Sequence, residues 1–398
     1  MPERVISRYT TGRGGPTVVL IGGLHGNEPA GAQAIARVLA RLEADGVPLR
    51  GEVTGLAGNL AALAEDRRFL SRDLNRRWMA GDIEELLAAG SGREAPEDRE
   101  QRELLAALVP LLVAAREPIV FLDLHSTSGD GPPFACMADV LRNRPIALAL
   151  PIPLILGIEE ILDGSLLGYL CDLGHVGVAV EGGQSQDPRT VRHHEAAIWI
   201  ALVAAGCLDA PDVPDLGDHR ALLAVAAKGL PSVVEIRHRH HIQEGDGFVM
   251  EPGLRSFVPV GKGQVVARDG SGPVRAPEKG LMLMPRYQGQ GEDGYFLARR
   301  VSPLWLRLSA LLRRLRLDRA VPLLPGVQPH PQQPDQFVAN PRIAVFQVVN
   351  VFHLFGYRHV RPHRERLVFA RRRPDFRRLG PLPPEIRSLR GGTGPESA

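Results

Sequence analysis

Thr17-Val18-Val19-Leu20-Ile21-Gly22-Gly23-Leu24-His25-Gly26-Asn27-Glu28-Pro29 reads as a strand, a loop and the start of a helix. Thr17 to Ile21 is a continuous apolar run rich in β-branched residues, the composition of a strand covered on both faces of a parallel sheet. It ends at two glycines. Pro29 then opens Ala30 to Leu39, whose apolar spacing is helical, and proline is favoured in a first helical turn. His25 and Glu28 are therefore expected on a loop at the carboxyl end of a strand, the edge at which open α/β sheets gather their ligands.

Ile119-Val120-Phe121-Leu122-Asp123-Leu124-His125 repeats the pattern, with a Ser/Thr/Gly loop after it. Alternate strand residues share a face, so Asp123 can accept the outer ring N–H of a metal-binding His125 and fix its tautomer. Two histidines and one carboxylate, His25, Glu28 and His125, form the ligand set of a catalytic zinc site with an open fourth position, one Zn2+ per chain. A lone His-x-x-Glu is usually a solvated pair. The coincidence at two strand ends, with glycines at the first, points to metal. A third strand-like run, Gly177 to Val180, ends in Glu181-Gly182-Gly183. A carboxylate there can move a proton during attack of water on a carbonyl, the alternative being an exposed loop glutamate.

In order along the chain, GGLHGNEPAG (22–31), RFLSRDLNRRW (68–78), FLDLHSTSG (121–129) and VAVEGGQ (178–184) resemble the succinylglutamate desuccinylase/aspartoacylase family, relatives of the zinc carboxypeptidases. The resemblance covers about the first three quarters of the chain. It implies zinc on His25, Glu28 and His125, a general base at Glu181, an arginine at Arg68 that polarises the scissile carbonyl, and Asn75 with Arg76 gripping a substrate carboxylate. Such roles suit guanidinium chemistry, which offers forked hydrogen bonds to carboxylates and stabilises oxyanions. Arg67, Arg72 and Arg77 are neighbours, and an arginine run is usually a solvated face. The loop Met284 to Gly291 resembles the family's most distinctive one, which makes Tyr287 a substrate-binding candidate.

The fold expected from pattern and resemblance is α/β, a zinc-carboxypeptidase-like mixed sheet flanked by helices, followed by a smaller β-rich domain and a basic C-terminal extension. The boundaries fall at 1–212 for the catalytic unit, 213–300 for the β-rich domain over the active-site mouth, and 301–398 for the extension. The function expected is a zinc-dependent amidohydrolase, a deacylase that cleaves the acyl-amide bond of a small N-acylated amino acid or related amine. The alternatives are a zinc metallocarboxypeptidase acting on short peptides and a metal-stabilised binding protein without catalysis. Intact Glu181 and Arg68 speak against the last.

Composition is consistent with an intracellular enzyme. The apolar fraction of 44% in 398 residues is ordinary for a packed core. Cys136, Cys171 and Cys207 are odd in number and widely spaced, which argues for free thiols. Met1-Pro2-Glu3-Arg4 does not open a signal peptide, and no stretch reaches the roughly 18 apolar residues of a membrane span, so a cytoplasmic location is expected. Arginine outnumbers lysine 45 to 3, a sign of a GC-rich genome more than of nucleic-acid binding. The extension holds 17 arginines and no lysine against 6 acidic residues, a net +11, so the first 300 residues carry −8. Yet residues 343–355 are too apolar for a disordered tail. Docking on the acidic body, in the same chain or in a homo-oligomer, is expected, and no nucleic-acid motif is present. His238, His240 and His241 read as a hydrogen-bonded or solvated face ahead of a second metal site, and Gly12 to Gly15 as a turn.

Overall fold

The computed structural model describes residues 3–89, 94–213, 215–331, 333, 336–340, 348–363, 366–371, 379 and 382–388. Of the apolar stretch 343–355, residues 343–347 lie outside the described residues.

One mixed sheet organises the molecule. It takes in β1 (Val5–Thr10), β2 (Thr17–Gly22), β3 (Glu52–Ala57), β4 (Val120–Thr127), β5 (Phe134–Cys136), β6 (Leu154–Leu156), β7 (Val176–Gln184) and β8 (Val233–His241), in the order 1-3-2-4-7-5-6-8. β2 pairs in parallel with β3 on one side and with β4 on the other, and β4 in parallel with β7. The connection after β2 leads to β3 and the later one to β4 on its opposite side, so a crevice opens at the carboxyl ends of β2 and β4. That is where the His25 loop and His125 lie.

Strand alternation sorts the core into two layers. Val18 and Leu20 of β2 join Leu122 and Leu124 of β4 in one cluster, beneath the helices Ala30–Ala44 and Pro188–Ala205. Val19 and Ile21 join Phe121 in the other, beneath the helices Pro96–Ala114 and Leu166–Asp172. Each of these strand side chains is fully buried, and such burial stabilises by roughly 1.5–3 kcal/mol per residue. The apolar runs of the sequence are continuous because both faces are covered. The helix Pro188–Ala205 ends where Gly206 takes a left-handed φ of 83°, a conformation that glycine adopts without strain.

The sheet continues past residue 212. After β9 (Val249–Met250), β10 (Pro259–Val260), β11 (Val265–Asp269), β12 (Gly272–Arg275) and β13 (Gly280–Leu283), the strand β14 (Asp293–Arg300) pairs antiparallel with β8. β13 and β10 extend that edge, giving eleven strands, while β12, β11 and β9 make a separate three-stranded sheet. The β-rich region is thus joined to the central sheet by backbone hydrogen bonds. A third apolar cluster, with Phe134, Ile155, Val234 and Phe296, packs across this junction.

The extension is held against the body. In the helix Pro303–Arg314, Leu306 enters the first core layer and the buried Arg313 donates from Nη1 to the Asp139 carbonyl at 3.0 Å. Arg144 reaches the Leu306 carbonyl at 2.7 Å and also pairs with Asp139. His353, in the helix Val348–Leu354, lies 2.8 Å from Glu235 and 3.1 Å from Glu160. Ile386 is buried in the second layer. A four-stranded sheet of β15 (Val327–Pro329), β16 (Gln336–Ala339), β17 (Tyr357–His363) and β18 (Arg366–Arg371) completes the extension. The three cysteines are buried and free, and no helix among the described residues is long and apolar enough to cross a membrane.

Candidate metal and catalytic site

The loop after β2 is shaped by glycine. Gly23 has φ +74°, and a Cβ on Gly26 would lie 2.1 Å from the Ala62 carbonyl carbon, so no side chain fits there. Gly26 also donates its N–H to the Arg68 carbonyl at 3.1 Å. This close packing carries the second motif to the first. The helix Pro96–Ala114 fixes that segment, because buried Glu97 accepts from the N–H groups of Leu70 at 2.6 Å and Ser71 at 3.0 Å.

His25, Glu28 and His125 form a buried cluster whose ligand atoms all lie within 4.8 Å of one another. His25 Nδ1 lies 2.9 Å from Glu28 Oε1, and His125 Nδ1 lies 3.0 Å from Glu28 Oε2. Asp123 Oδ2 stands 3.0 Å from the outer nitrogen of His125, as strand alternation predicts. When Nε2–H donates to Asp123, the Nδ1 lone pair faces a carboxylate oxygen, acceptor against acceptor. Only a cation or an added proton resolves that arrangement. Burial pushes the His125 pKa down, but Asp123 and Glu28 hold it well above the usual histidine value; burial likewise opposes ionisation of Glu28, which the two histidines hold well below its usual value.

Asp73 completes the cluster, though sequence reading did not single it out. Its Oδ1 lies 3.2 Å from His25 Nε2, and its Oδ2 accepts from Arg68 Nη2 at 3.0 Å. Burial alone would raise its pKa, yet His25 and Arg68 keep it well below the usual range. The sequence signal is the Asp73-Leu74-Asn75 turn, where the Asp73 side chain also accepts from the Asn75 N–H at 2.9 Å. Arg68 itself lies against the cluster, 2.8 Å from His25 Nε2 and 3.4 Å from Glu28 Oε1. Burial opposes its charge, and the Asp73 and Glu28 carboxylates outweigh that opposition.

Glu181 stands opposite His125 in the parallel β4–β7 register, so both side chains emerge on one face. Its Oε2 has no hydrogen-bond partner among the described residues. Burial, joined by the nearby Glu28 charge, pushes its pKa up to about 7 against the pull of His125. Beneath, His194 is packed against Gly182, and burial lowers its pKa to about 3, so it stays neutral.

All of these except Asp73 and His194 line one cavity of about 190 Å3, together with Asn75 and Arg76. Asn75 is anchored by its Oδ1, which accepts from the Leu166 N–H at 2.9 Å, and Arg76 pairs with Asp293 at 2.9 Å. The loop 284–291 lies across the opening. Asn27 donates to Gln288 at 2.6 Å, Gln290 to the Phe69 carbonyl at 2.9 Å, and the Tyr287 N–H to Ser128 Oγ at 3.0 Å. The Tyr287 side chain is a different matter. It is 42% exposed, absent from the cavity lining, and its hydroxyl donates to the Glu251 carbonyl at 2.8 Å. Arg286, Gln288 and Gln290 face the cavity in its place. His238 and His240 pack on Tyr295, and no second cluster of metal-ligand type occurs among the described residues.

Residues 14–150 match the sequence profile of the succinylglutamate desuccinylase/aspartoacylase catalytic domain. A probable aspartoacylase of Parasynechococcus marenigrum is 31% identical over 223 residues, 52% of this chain and 69% of that one. The chain belongs to the succinylglutamate desuccinylase/aspartoacylase family. A second member, the succinylglutamate desuccinylase of Photorhabdus laumondii, is 34% identical over 78 residues, 20% of this chain and 24% of that one. The family fold is also shared with the crystal structure of succinylglutamate desuccinylase/aspartoacylase from Rhodobacter sphaeroides, with a TM-score of 0.53 at 21% identity over 73% of this chain and 87% of that one.

Proposed function

We propose that the chain is a zinc-dependent deacylase that hydrolyses the acyl-amide bond of a small N-acylated amino acid or related amine. One observation carries the reading: two histidine Nδ1 atoms and a carboxylate converge in a cavity that also holds an unpartnered Glu181 oxygen. His25, Glu28 and His125 would hold the metal, since a buried acceptor-rich cluster backed by Asp123 matches its ligand chemistry. Zinc, when bound, supplies Lewis acidity that makes water a nucleophile at neutral pH.

The chain's own residues do the rest. Glu181 Oε2 takes a proton from the water that attacks the carbonyl and returns it to the departing nitrogen. Arg68 stabilises the negative charge that develops on the carbonyl oxygen, and its pairing with Asp73 fixes the guanidinium without side-chain rearrangement. Asn75 and Arg76 receive the substrate carboxylate at the same end of the cavity. The loop 284–291, tied down at Asn27, Phe69 and Ser128, narrows the entrance and favours small substrates over the peptides of a carboxypeptidase. We place this reaction in the cytoplasm, with small molecules as its partners.

Elemental analysis is expected to find close to one zinc per chain, lost in His25→Ala and in His125→Ala. A screen of N-acetyl, N-succinyl and N-formyl amino acids should then reveal hydrolysis by the zinc-loaded chain. Stoichiometric zinc in the double histidine variant, or release of C-terminal residues from peptides in place of deacylation, would sink the proposal.

A further inference from the structure

The cavity has two unlike ends. The metal cluster, Arg68 and Glu181 occupy one. Away from them the floor follows the sheet order from β7 through β5 and β6 to β14. Ala179 shares the face of Glu181, and Cys136 of β5 lies opposite Ala179 in register. Ile158 and Leu162 follow β6, Phe296 belongs to β14, and Met284 enters from the loop above.

These six side chains belong to the third apolar cluster. Cys136 and Phe296 are buried in it, whereas Ala179, Ile158, Leu162 and Met284 pack on it and remain only partly covered. Their uncovered surfaces face the cavity. The charges present also discriminate. Glu159 and Asp293 line the same space, Asp293 being shared between Arg76 and Arg239 so that Arg76 keeps the rest of its guanidinium for one carboxylate. Asn75 and Arg76 can match one substrate carboxylate, and the remaining lining arginine, Arg286, already donates to the Gly291 and Phe248 carbonyls, so a second carboxylate on the apolar floor would be poorly compensated for its desolvation.

Building on the deacylase reading, we infer that the substrate carries a single carboxylate and an aliphatic or aromatic group that lies on the floor formed by Ile158, Leu162, Met284 and Phe296. The whole cavity, metal end included, measures about 190 Å3, so the apolar group it receives beside the carboxylate and the scissile amide is a compact one. The apolar group belongs either to the amino acid side chain or to the acyl chain.

Steady-state kinetics on the zinc-loaded full chain distinguish these sources. N-acetyl-leucine and N-acetyl-phenylalanine place the apolar group on the amine, N-hexanoylglycine places it on the acyl part, and N-acetylaspartate and N-succinylglutamate carry a second carboxylate. At least one apolar substrate is expected to exceed both dicarboxylates in kcat/KM by about tenfold or more, the lower end of what one methylene earns in a hydrophobic pocket. Leu162→Asp should lower kcat/KM for the favoured apolar substrate at least about tenfold, mainly through KM, while Leu162→Met retains it. The comparison among substrates uses the unaltered chain and stands even if Leu162→Asp misfolds. A dicarboxylate hydrolysed as well as every apolar substrate overturns the inference and leaves deacylation intact. If the zinc-loaded chain hydrolyses none of the five yet cleaves another N-acylated amino acid of the broader screen, this inference falls and deacylation stands; if it cleaves nothing in either set, both fall.

Discussion

Glu181 combines three properties at one position: it stands opposite His125, it lines the cavity, and one of its oxygens is buried without a partner among the described residues. Glu181→Gln preserves size while removing the negative charge and the capacity to carry a proton. The variant is expected to keep its zinc and its KM while kcat falls by roughly a hundredfold or more, since general acid–base catalysis contributes about 10² to 10⁴. Near-normal turnover would reassign the residue to structure. Asp123→Asn tests a different function, the orientation of His125. A loss of about 10–100-fold in zinc affinity, read by chelator competition, is expected because an asparagine amide accepts from the ring less strongly. Residues of this kind were legible in the sequence because each ends or lies within an apolar strand, so position and chemistry pointed the same way. Asp293 was not, since it reaches Arg76 from 217 positions away and nothing local marks it. Tyr287 was marked by its loop, but its neighbours in that loop face the cavity while its own hydroxyl caps residues 251–254.

At the level of elements, the helix Pro96–Ala114 serves as a clamp. Its first turn presents Glu97 to the loop that carries Arg68 and Asp73, and Glu100 accepts from the N–H groups of Leu60 at 2.9 Å and Ala61 at 3.1 Å. Removing the Glu97 carboxylate leaves the buried Asn59 amide without that acceptor, at a cost of about 1–3 kcal/mol, and frees the less buried N–H groups of Leu70 and Ser71. Glu97→Ala should therefore lower the urea midpoint and raise KM, because the loop that positions Arg68 loosens; an unchanged midpoint would refute the clamp. The strands around the candidate metal cluster were readable from their β-branched runs, and the helix Ala30–Ala44 from the apolar spacing of its first ten residues. The pairing of β8 with β14 was not readable. Both strands carry charged and histidine residues along their outer halves, and only the long-range register reveals that they extend the central sheet.

Over the whole molecule, the basic extension meets the acidic body at a few buried contacts. Glu235 records one of them: burial would raise its pKa, but the His353 hydrogen bond and Arg299 bring it from 4.5 to about 2. A carboxyl depressed in the folded state adds stability above its unfolded pKa and loses it as pH falls through the folded value. Here that stability, on the order of 3 kcal/mol, should be present at neutral pH and lost between about pH 4.5 and 2. Tm measured against pH should show Glu235→Gln below the unaltered chain at pH 7, with the gap closing across that window; a constant gap would refute the assignment. A chain ending at Arg300 loses Leu306, Arg313 and His353 together. It should bind zinc and retain hydrolysis but melt at least about 5 °C lower, as expected when a buried leucine is deleted. The charge split made docking on the acidic body, in the same chain or a second subunit, an expectation; which carboxylates receive the basic groups depends on tertiary placement alone.

The order of parts along the chain also sets an order in time. His25, Glu28, His125 and Glu181 have all been synthesised by residue 181, whereas the loop that lies across them begins at Met284. At translation rates of about 5–20 residues per second, this separation corresponds to a delay of roughly 5–20 s. During that interval the proposed ligands exist and the segment that narrows the entrance does not. On the proposed reading, a nascent chain would meet its ion at an open cleft, whereas the finished chain would present the same ligands beneath a loop fastened at three points.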